Sequence, residues 1–126
     1  MKHLILCCFL VGACYAQSDE QLIKAFSRVE SSDNWRAIGD RVGTKYYAYG
    51  LFQFHFARYV ELGGKNWGSA GEEEQIRVFK KEIELVRKKS KIDFVRALAT
   101  YHNLGHISNI ETTYVKKIRR ELDKRD

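Results

Sequence analysis

Cysteine and proline are the residues whose scarcity constrains this sequence most. The chain of 126 residues contains no proline, and no repeat or low-complexity linker interrupts it, so nothing indicates a second domain. Its three cysteines, Cys7, Cys8 and Cys14, all lie within residues 1–16. Residues 17–126 therefore have neither a disulfide framework nor a thiolate metal site, and we expect the packing of one core to hold this domain together.

Residues 1–16, MKHLILCCFLVGACYA, have the pattern of a secretory signal peptide. A lysine precedes an apolar run that is too short to span a bilayer, and small residues follow. Cleavage after Ala16 would give a chain that begins at Gln17. Residues 11–14 also resemble the lipobox of bacterial lipoproteins, in which case Cys14 would carry lipid, and an uncleaved apolar helix is a third interpretation. We expect an exported protein, in the periplasm, in the cell envelope or secreted.

The chain is basic, with 22 lysines and arginines against 16 acidic residues. In a cytosolic protein this excess would suggest nucleic acid as a partner. Export favours an anionic envelope polymer or a membrane surface instead. We therefore expect no nucleic-acid partner, and contact with a membrane only if Cys14 is lipidated.

Apolar residues recur at helical spacing through most of the chain, which predicts a mostly helical single domain. A long loop, or a small hairpin through residues 45–49, is expected over residues 32–50, directly after the first helix. The predicted helices cover residues 19–31, 51–62, 72–89 and 92–103, and a last one begins at a cap formed by Ser108 and Glu111.

Glu30 stands where the apolar face of the first helix gives way to a polar turn. Phe26 and Val29 precede it, and two serines and Asp33 follow. An apolar pocket favours the protonated form of a carboxyl group, as a catalytic acid requires. Taken alone, a glutamate at the end of a helix is most often a solvated surface charge.

Three motifs in a fixed order change that interpretation. VESSDNWRAIGD occupies residues 29–40, AYGLFQ residues 48–53, and ALATYHNLG residues 97–105. Together they resemble the soluble lytic transglycosylase domain of the lysozyme-like superfamily, and are most similar to its small phage- and conjugation-type members. The resemblance covers residues 18–125 and implies a lysozyme-like fold.

The resemblance also assigns roles to residues. It implies that Glu30 is the catalytic acid, followed by the family's serine at Ser31, and that Tyr101 contacts the acid or the sugar. The substrate-contacting turn of the family falls on Gly50, Leu51, Phe52 and Gln53. From the residues alone, Tyr101 could equally belong to the core, and Gln53 could cap the next helix.

The third motif departs from the family at one position. The chain reads YHNLG where the family has YNAG, so either His102 replaces the asparagine or Asn103 fills its role after an insertion. We favour Asn103. A shift of one residue turns a helical side chain by about 100°. His102 and His106 have the i, i+4 spacing of metal ligands, but Gly105 lies between them and no acidic partner is evident, so we expect no metal and no cofactor.

The resemblance implies cleavage of the β-1,4 bond between N-acetylmuramic acid and N-acetylglucosamine in the glycan strands of peptidoglycan. Most glycosidases need a second carboxylate across the scissile bond, yet no acid occurs from Arg41 through Val60, and Asp33 and Asp40 are poor candidates. We therefore expect 1,6-anhydro-muramoyl ends. We also expect the enzyme to be a monomer. The alternatives are a hydrolytic lysozyme and a non-catalytic wall-binding or secretion-apparatus protein.

Overall fold

The computed structural model describes residues 17–41 and 47–124. Within them the chain forms five helices and one two-stranded antiparallel sheet, which confirms the predicted mostly helical single domain. The proposed signal peptide and all three cysteines lie outside the described residues. No helix in the described ranges is both long and apolar enough to cross a membrane.

Helix α1, Asp19–Ser31, has the predicted bounds. Ser18 and Gln21 form the capping box, in which each side chain bonds the backbone N–H of the other residue. At the other end Ser32 adopts a left-handed conformation. Helix α1 therefore ends one residue after Glu30, so this carboxylate lies on the last turn, where the chain leaves the core.

The sheet follows α1 directly. Strand β1, Ile38–Arg41, pairs antiparallel with β2, Tyr47–Tyr49, through an irregular register. The hairpin predicted through residues 45–49 falls partly outside the described residues, and its described part is β2.

The predicted helix over residues 51–62 was wrong in its first turn. Gly50 and Gln53 have positive φ angles of 89° and 52°, and the N–H of Tyr49 donates to the carbonyl of Phe54 across a tight turn. Helix α2 is only Phe56–Glu61. The apolar residues before α2 have the spacing of a helix face, but they lie in a turn from which their side chains point into the core.

Helix α3, Glu72–Lys89, agrees with the prediction, and helix α4, Phe94–Leu104, begins two residues later than expected because Asp93 caps it. Helix α5 is Thr113–Asp123, and its cap is Thr112. The predicted cap of Ser108 and Glu111 was wrong.

Both residues of that predicted cap serve other contacts. The backbone N–H of Ser108 donates to the hydroxyl of Thr100. Glu111 accepts hydrogen bonds from Arg96 and Arg119 instead of a backbone N–H. These two arginines hold the pKa of Glu111 down at about 2, mainly through the bond from Arg119. The segment between α4 and α5 is therefore fixed by side chains of both helices.

Helix α4 is the central helix of the core, and it packs against α3 and α5. Helix α1 packs mainly against α5. Phe52 from the turn stacks on Phe79 of α3 at 4.2 Å between ring centroids, and Phe26 of α1 lies 5.0 Å from Phe79. The three aromatic rings join α1, α3 and the turn beneath the end of α1.

A buried glutamine fixes the position of the turn. Gln75 of α3 accepts a hydrogen bond from the N–H of Leu51, and its amide donates to the carbonyls of Trp35 and Ala70. A Cβ at Gly50 would collide with this amide. Gly50 is therefore required both for its positive φ and for the close approach of Gln75.

Candidate active site

Glu30 lies half-buried at the end of α1, with 18% of its side chain exposed. The hydroxyl of Tyr114, on α5, donates to its Oε2 at 2.8 Å. Nε2 of His102, on α4, lies 3.2 Å from the same oxygen. Within the part of the chain that the structure describes, Oε1 has no hydrogen-bond partner. One oxygen of Glu30 is thus held by the protein, and the other is available to a bound molecule.

His102 is enclosed, with 3% of its side chain exposed. Its Nδ1 lies 2.6 Å from Oε1 of Glu82, and its Nε2 lies 2.7 Å from the carbonyl oxygen of Phe52. Because a carbonyl oxygen can only accept a hydrogen bond, Nε2 must carry a hydrogen. The Nε2–H group therefore bonds the carbonyl of Phe52, and Oε2 of Glu30 lies 3.2 Å from the same nitrogen, within ion-pair distance.

The charge of His102 follows from its neighbours. Burial alone would lower the pKa of the imidazole, but the carboxylates of Glu82 and Glu30 outweigh burial and raise it to about 10. His102 is therefore an imidazolium at neutral pH. Both of its N–H groups then meet acceptors, in agreement with the observed contacts.

Tyr114 keeps its proton for related reasons. Burial raises the pKa of its phenol well above the usual value, and the nearby carboxylates of Glu30 and Glu82 act in the same direction. Its hydroxyl is consequently a donor to Glu30 at any physiological pH. One neutral donor and one cation therefore lie against Oε2.

Glu82 is fully buried on α3, and its Oε2 has no partner among the described residues. Glu30 and Glu82 approach His102 from opposite ring nitrogens, so the three groups do not converge on one point. In the described ranges no group of three or more histidine, cysteine, aspartate or glutamate side chains is arranged to hold a metal ion.

The substrate-contacting turn predicted from the family has a mainly structural environment here. The Phe52 side chain is fully buried against Phe79, and only its backbone carbonyl faces His102. The amide of Gln53 donates to the carbonyls of Ala37 and Gly50. Gln53 thus bridges the loop before β1 to the turn and does not cap α2.

Ser31 and Tyr101 also make contacts within the protein. The Ser31 hydroxyl donates to the carbonyl of Ser27 and accepts from the N–H of Asn34, which closes the end of α1. Tyr101 is buried, with the guanidinium of Arg58 over its ring at 4.1 Å. Tyr114, and not Tyr101, supplies the phenol that bonds Glu30.

His102 and Asn103, the two candidates for the asparagine of the YNAG pattern, lie in different surroundings. His102 faces the core and contacts Glu30, whereas Asn103 is exposed. The side chain near the acid is therefore His102, although Asn103 was favoured from the sequence.

Sequence reasoning missed Glu82 and Tyr114. The spacing of Glu82 carried a signal, because it lies on the apolar stripe of α3 between Phe79 and Val86. A carboxylate at a core-facing position needs a partner. Tyr114 gave no comparable signal, since a tyrosine on an apolar stripe is usually a core residue.

Comparison with known proteins adds no family to this description. A scan of protein-family models, a search of curated proteins and a search of solved structures each found no significant match.

Proposed function

We propose that this protein is a peptidoglycan lytic transglycosylase in which Glu30 is the single general acid and base. The observation that carries the proposal is the asymmetric environment of Glu30. Its Oε2 is fixed by Tyr114 and His102, while its Oε1 has no partner among the described residues. The three motifs around it, with their resemblance to the transglycosylase domain, support the glycan strand as the proposed substrate.

The reaction needs two proton transfers at Glu30. Protonated Oε1 gives its proton to the leaving O4 of N-acetylglucosamine, and the C1–O4 bond breaks with its electron pair going to O4. The muramoyl 6-hydroxyl oxygen then forms the C1–O6 bond, and its proton passes to the Glu30 carboxylate. Glu30 ends the cycle protonated as it began. The 6-hydroxyl is already held near C1, so the internal attack has an advantage of proximity over water.

The described acids near Glu30 do not offer a second catalytic carboxylate. Asp33 accepts a hydrogen bond from Ser27 and lies 3.6 Å from Arg28, so it closes the turn after α1. Glu82 lies behind His102. The side chain of Asp40, the other acid considered as a second carboxylate, is outside the described part of the chain. These contacts favour the anhydro product.

Digestion of purified peptidoglycan, followed by mass spectrometry of the released muropeptides, tests this function. We expect 1,6-anhydro-muramoyl ends, which are lighter than hydrolysed ends by one water. Reducing ends as the main product would make the protein a lysozyme. Absence of any cleavage, with binding to the wall retained, would support the non-catalytic alternative.

The glycan strand is the proposed partner, and export to the cell envelope is the proposed location. A basic protein is attracted to an anionic envelope polymer, and α5 presents three cationic side chains to solvent in addition to the Tyr114 that reaches Glu30. These are Lys116, Lys117 and Arg120.

A further inference from the structure

Two enclosed ionisable side chains lie behind Glu30 and take no part in the proton transfers described above. The Glu82 side chain is 0% exposed and that of His102 is 3% exposed. Burial of a charge is costly even when it is paired. An apolar pair of similar volume would suit a core next to Phe26 and Phe79 better, so the position of this pair directly behind Glu30 requires a reason.

We propose that Glu82 and His102 form a positioning pair, in which Glu82 holds an imidazolium against Glu30 so that the carboxylate formed during catalysis meets a fixed cation. This inference rests on the proposed function of Glu30. Glu82 acts only through His102, because His102 lies between the two carboxylates.

The His102 ring has little freedom to rotate. The rings of Phe26, Phe54 and Phe79 meet it edge-on, at centroid distances of 5.6, 5.0 and 5.8 Å. Its two nitrogens are bonded to Glu82 and to the carbonyl of Phe52. A donor held this way needs no reorganisation when negative charge develops beside it.

The groups that face the ring from each packed element favour the cation. Helix α1 contributes Glu30, α3 contributes Glu82, and the turn contributes the carbonyl of Phe52. Helix α5 contributes Tyr114, a neutral donor whose hydroxyl is taken by Glu30. Two carboxylates and one carbonyl therefore surround His102, with no competing positive charge among these contacts.

The proton transfer explains why a fixed cation is useful. When Glu30 gives its proton to the leaving oxygen, negative charge develops on the carboxylate, and Nε2–H of His102 is already 3.2 Å from Oε2. A fixed positive charge at this distance attracts the developing carboxylate, and a neutral ring does not. Loss of the cation should thus slow the step in which Glu30 ionises.

Glu82→Gln separates the charge from the hydrogen bond. The glutamine amide can donate to Nδ1, and Nε2–H can still reach Phe52 and Glu30, so His102 keeps its contacts as a neutral ring. We expect the maximal rate on peptidoglycan to fall about tenfold, because the carboxylate formed on Glu30 then faces a neutral ring instead of a cation. The His102 ring of this variant should be neutral at pH 8 by nitrogen-15 NMR, because the carboxylate of Glu82 is the strongest of the contacts that raise its pKa.

The matched control is Glu84→Gln, the same change at an exposed position of α3 that pairs with Lys88. Glu84→Gln should leave both the maximal rate and the charge of His102 unchanged. A fall in rate for Glu82→Gln with His102 still protonated at pH 8 would mean that Glu82 has only a structural role, and would overturn the inference.

Nitrogen-15 NMR of the His102 ring tests the pair without reference to activity. The measurement is made on the wild type, so it remains possible if Glu82→Gln fails to fold. We expect both ring nitrogens to be protonated at pH 8 in the wild type. A neutral His102 at that pH would overturn the inference even in an active enzyme. If the wild type shows the cation but cleaves no peptidoglycan, the proposed function fails and the catalytic role of the pair fails with it.

Discussion

The phenol of Tyr114 donates a hydrogen bond to Glu30 across 84 positions of sequence, at 2.8 Å. This contact joins the end of α1 to the first turn of α5, at the point where the half-buried carboxylate reaches the surface. Helix α5 therefore contributes to the candidate site as well as to the core. No single motif of the sequence contains both residues.

Replacement of Glu30 by glutamine tests the central residue of the site. Glu30→Gln keeps the shape of the side chain and can still accept from Tyr114, but it cannot donate a catalytic proton. We expect peptidoglycan cleavage to fall by about two to four orders of magnitude, as is usual for loss of a general acid. Release of muropeptides, compared with Glu20→Gln at an exposed position of the same helix, measures the effect. Activity retained within a few-fold would exclude Glu30 as the acid.

Tyr114→Phe removes the neutral donor to Oε2 of Glu30. We expect the rate to fall about tenfold, because the lost bond has a charged acceptor when Glu30 ionises. The melting temperature should change little, since the ring remains to pack against Phe26. Tyr47→Phe, in a ring that contacts Trp67 instead, is the control. An unchanged rate in Tyr114→Phe would show that the phenol only fills space.

The helices were largely predictable because their signals are local. The capping box of Ser18 and Gln21 and the apolar stripe of α3 lie within one or two turns, and both α1 and α3 have the predicted bounds. The turn before α2 was not predictable, because Leu51 and Phe52 have helical spacing while Gln75, 24 positions from Leu51, holds the backbone in a turn.

The candidate site was predictable only in part, for the same reason. Glu30 follows from its motif, but its neighbours come from three other segments of the chain. Spacing within ALATYHNLG could not decide between His102 and Asn103, since the choice depends on how α4 is rotated against α1 and α3. Only Glu82 indicated a contact with a distant segment, because an acidic residue on the apolar stripe of α3 needs a partner in the core.

Substitution of Gly50 tests how the turn is held. Gly50→Ala adds a Cβ at a φ of 89° and places it against the amide of Gln75. Gly63→Ala adds a Cβ at a φ of 84°, with nothing within 4 Å. Both variants should lose about 1 kcal/mol of unfolding free energy to the left-handed conformation.

Gly50→Ala should lose roughly a further 1–3 kcal/mol, since Gln75 must give up buried hydrogen bonds. Denaturant unfolding of the two variants measures the difference. Equal losses would mean that the Gln75 amide moves aside freely.

The stability of the protein should decrease as pH rises above about 6.5. The folded-state pKa of His102 is raised to about 10 from the model-peptide value of 6.5, against the effect of burial, by Glu82 and Glu30. The folded protein therefore binds one more proton than the unfolded chain between these two pH values. The stabilisation is complete below pH 6.5 and is lost progressively up to about pH 10, with a limiting slope of roughly 1.4 kcal/mol per pH unit for one proton.

Unfolding free energies measured in urea at pH 6, 7, 8 and 9 would test this slope below the range where lysines and most tyrosines titrate. Glu82→Gln should flatten it, because the folded protein then no longer retains the extra proton on His102. His106→Asn, at an exposed histidine, should leave the slope as it is in the wild type. A wild-type stability that stays constant from pH 6 to pH 9 would mean that folding does not raise the pKa of His102, and Glu30 would then lack its fixed cation.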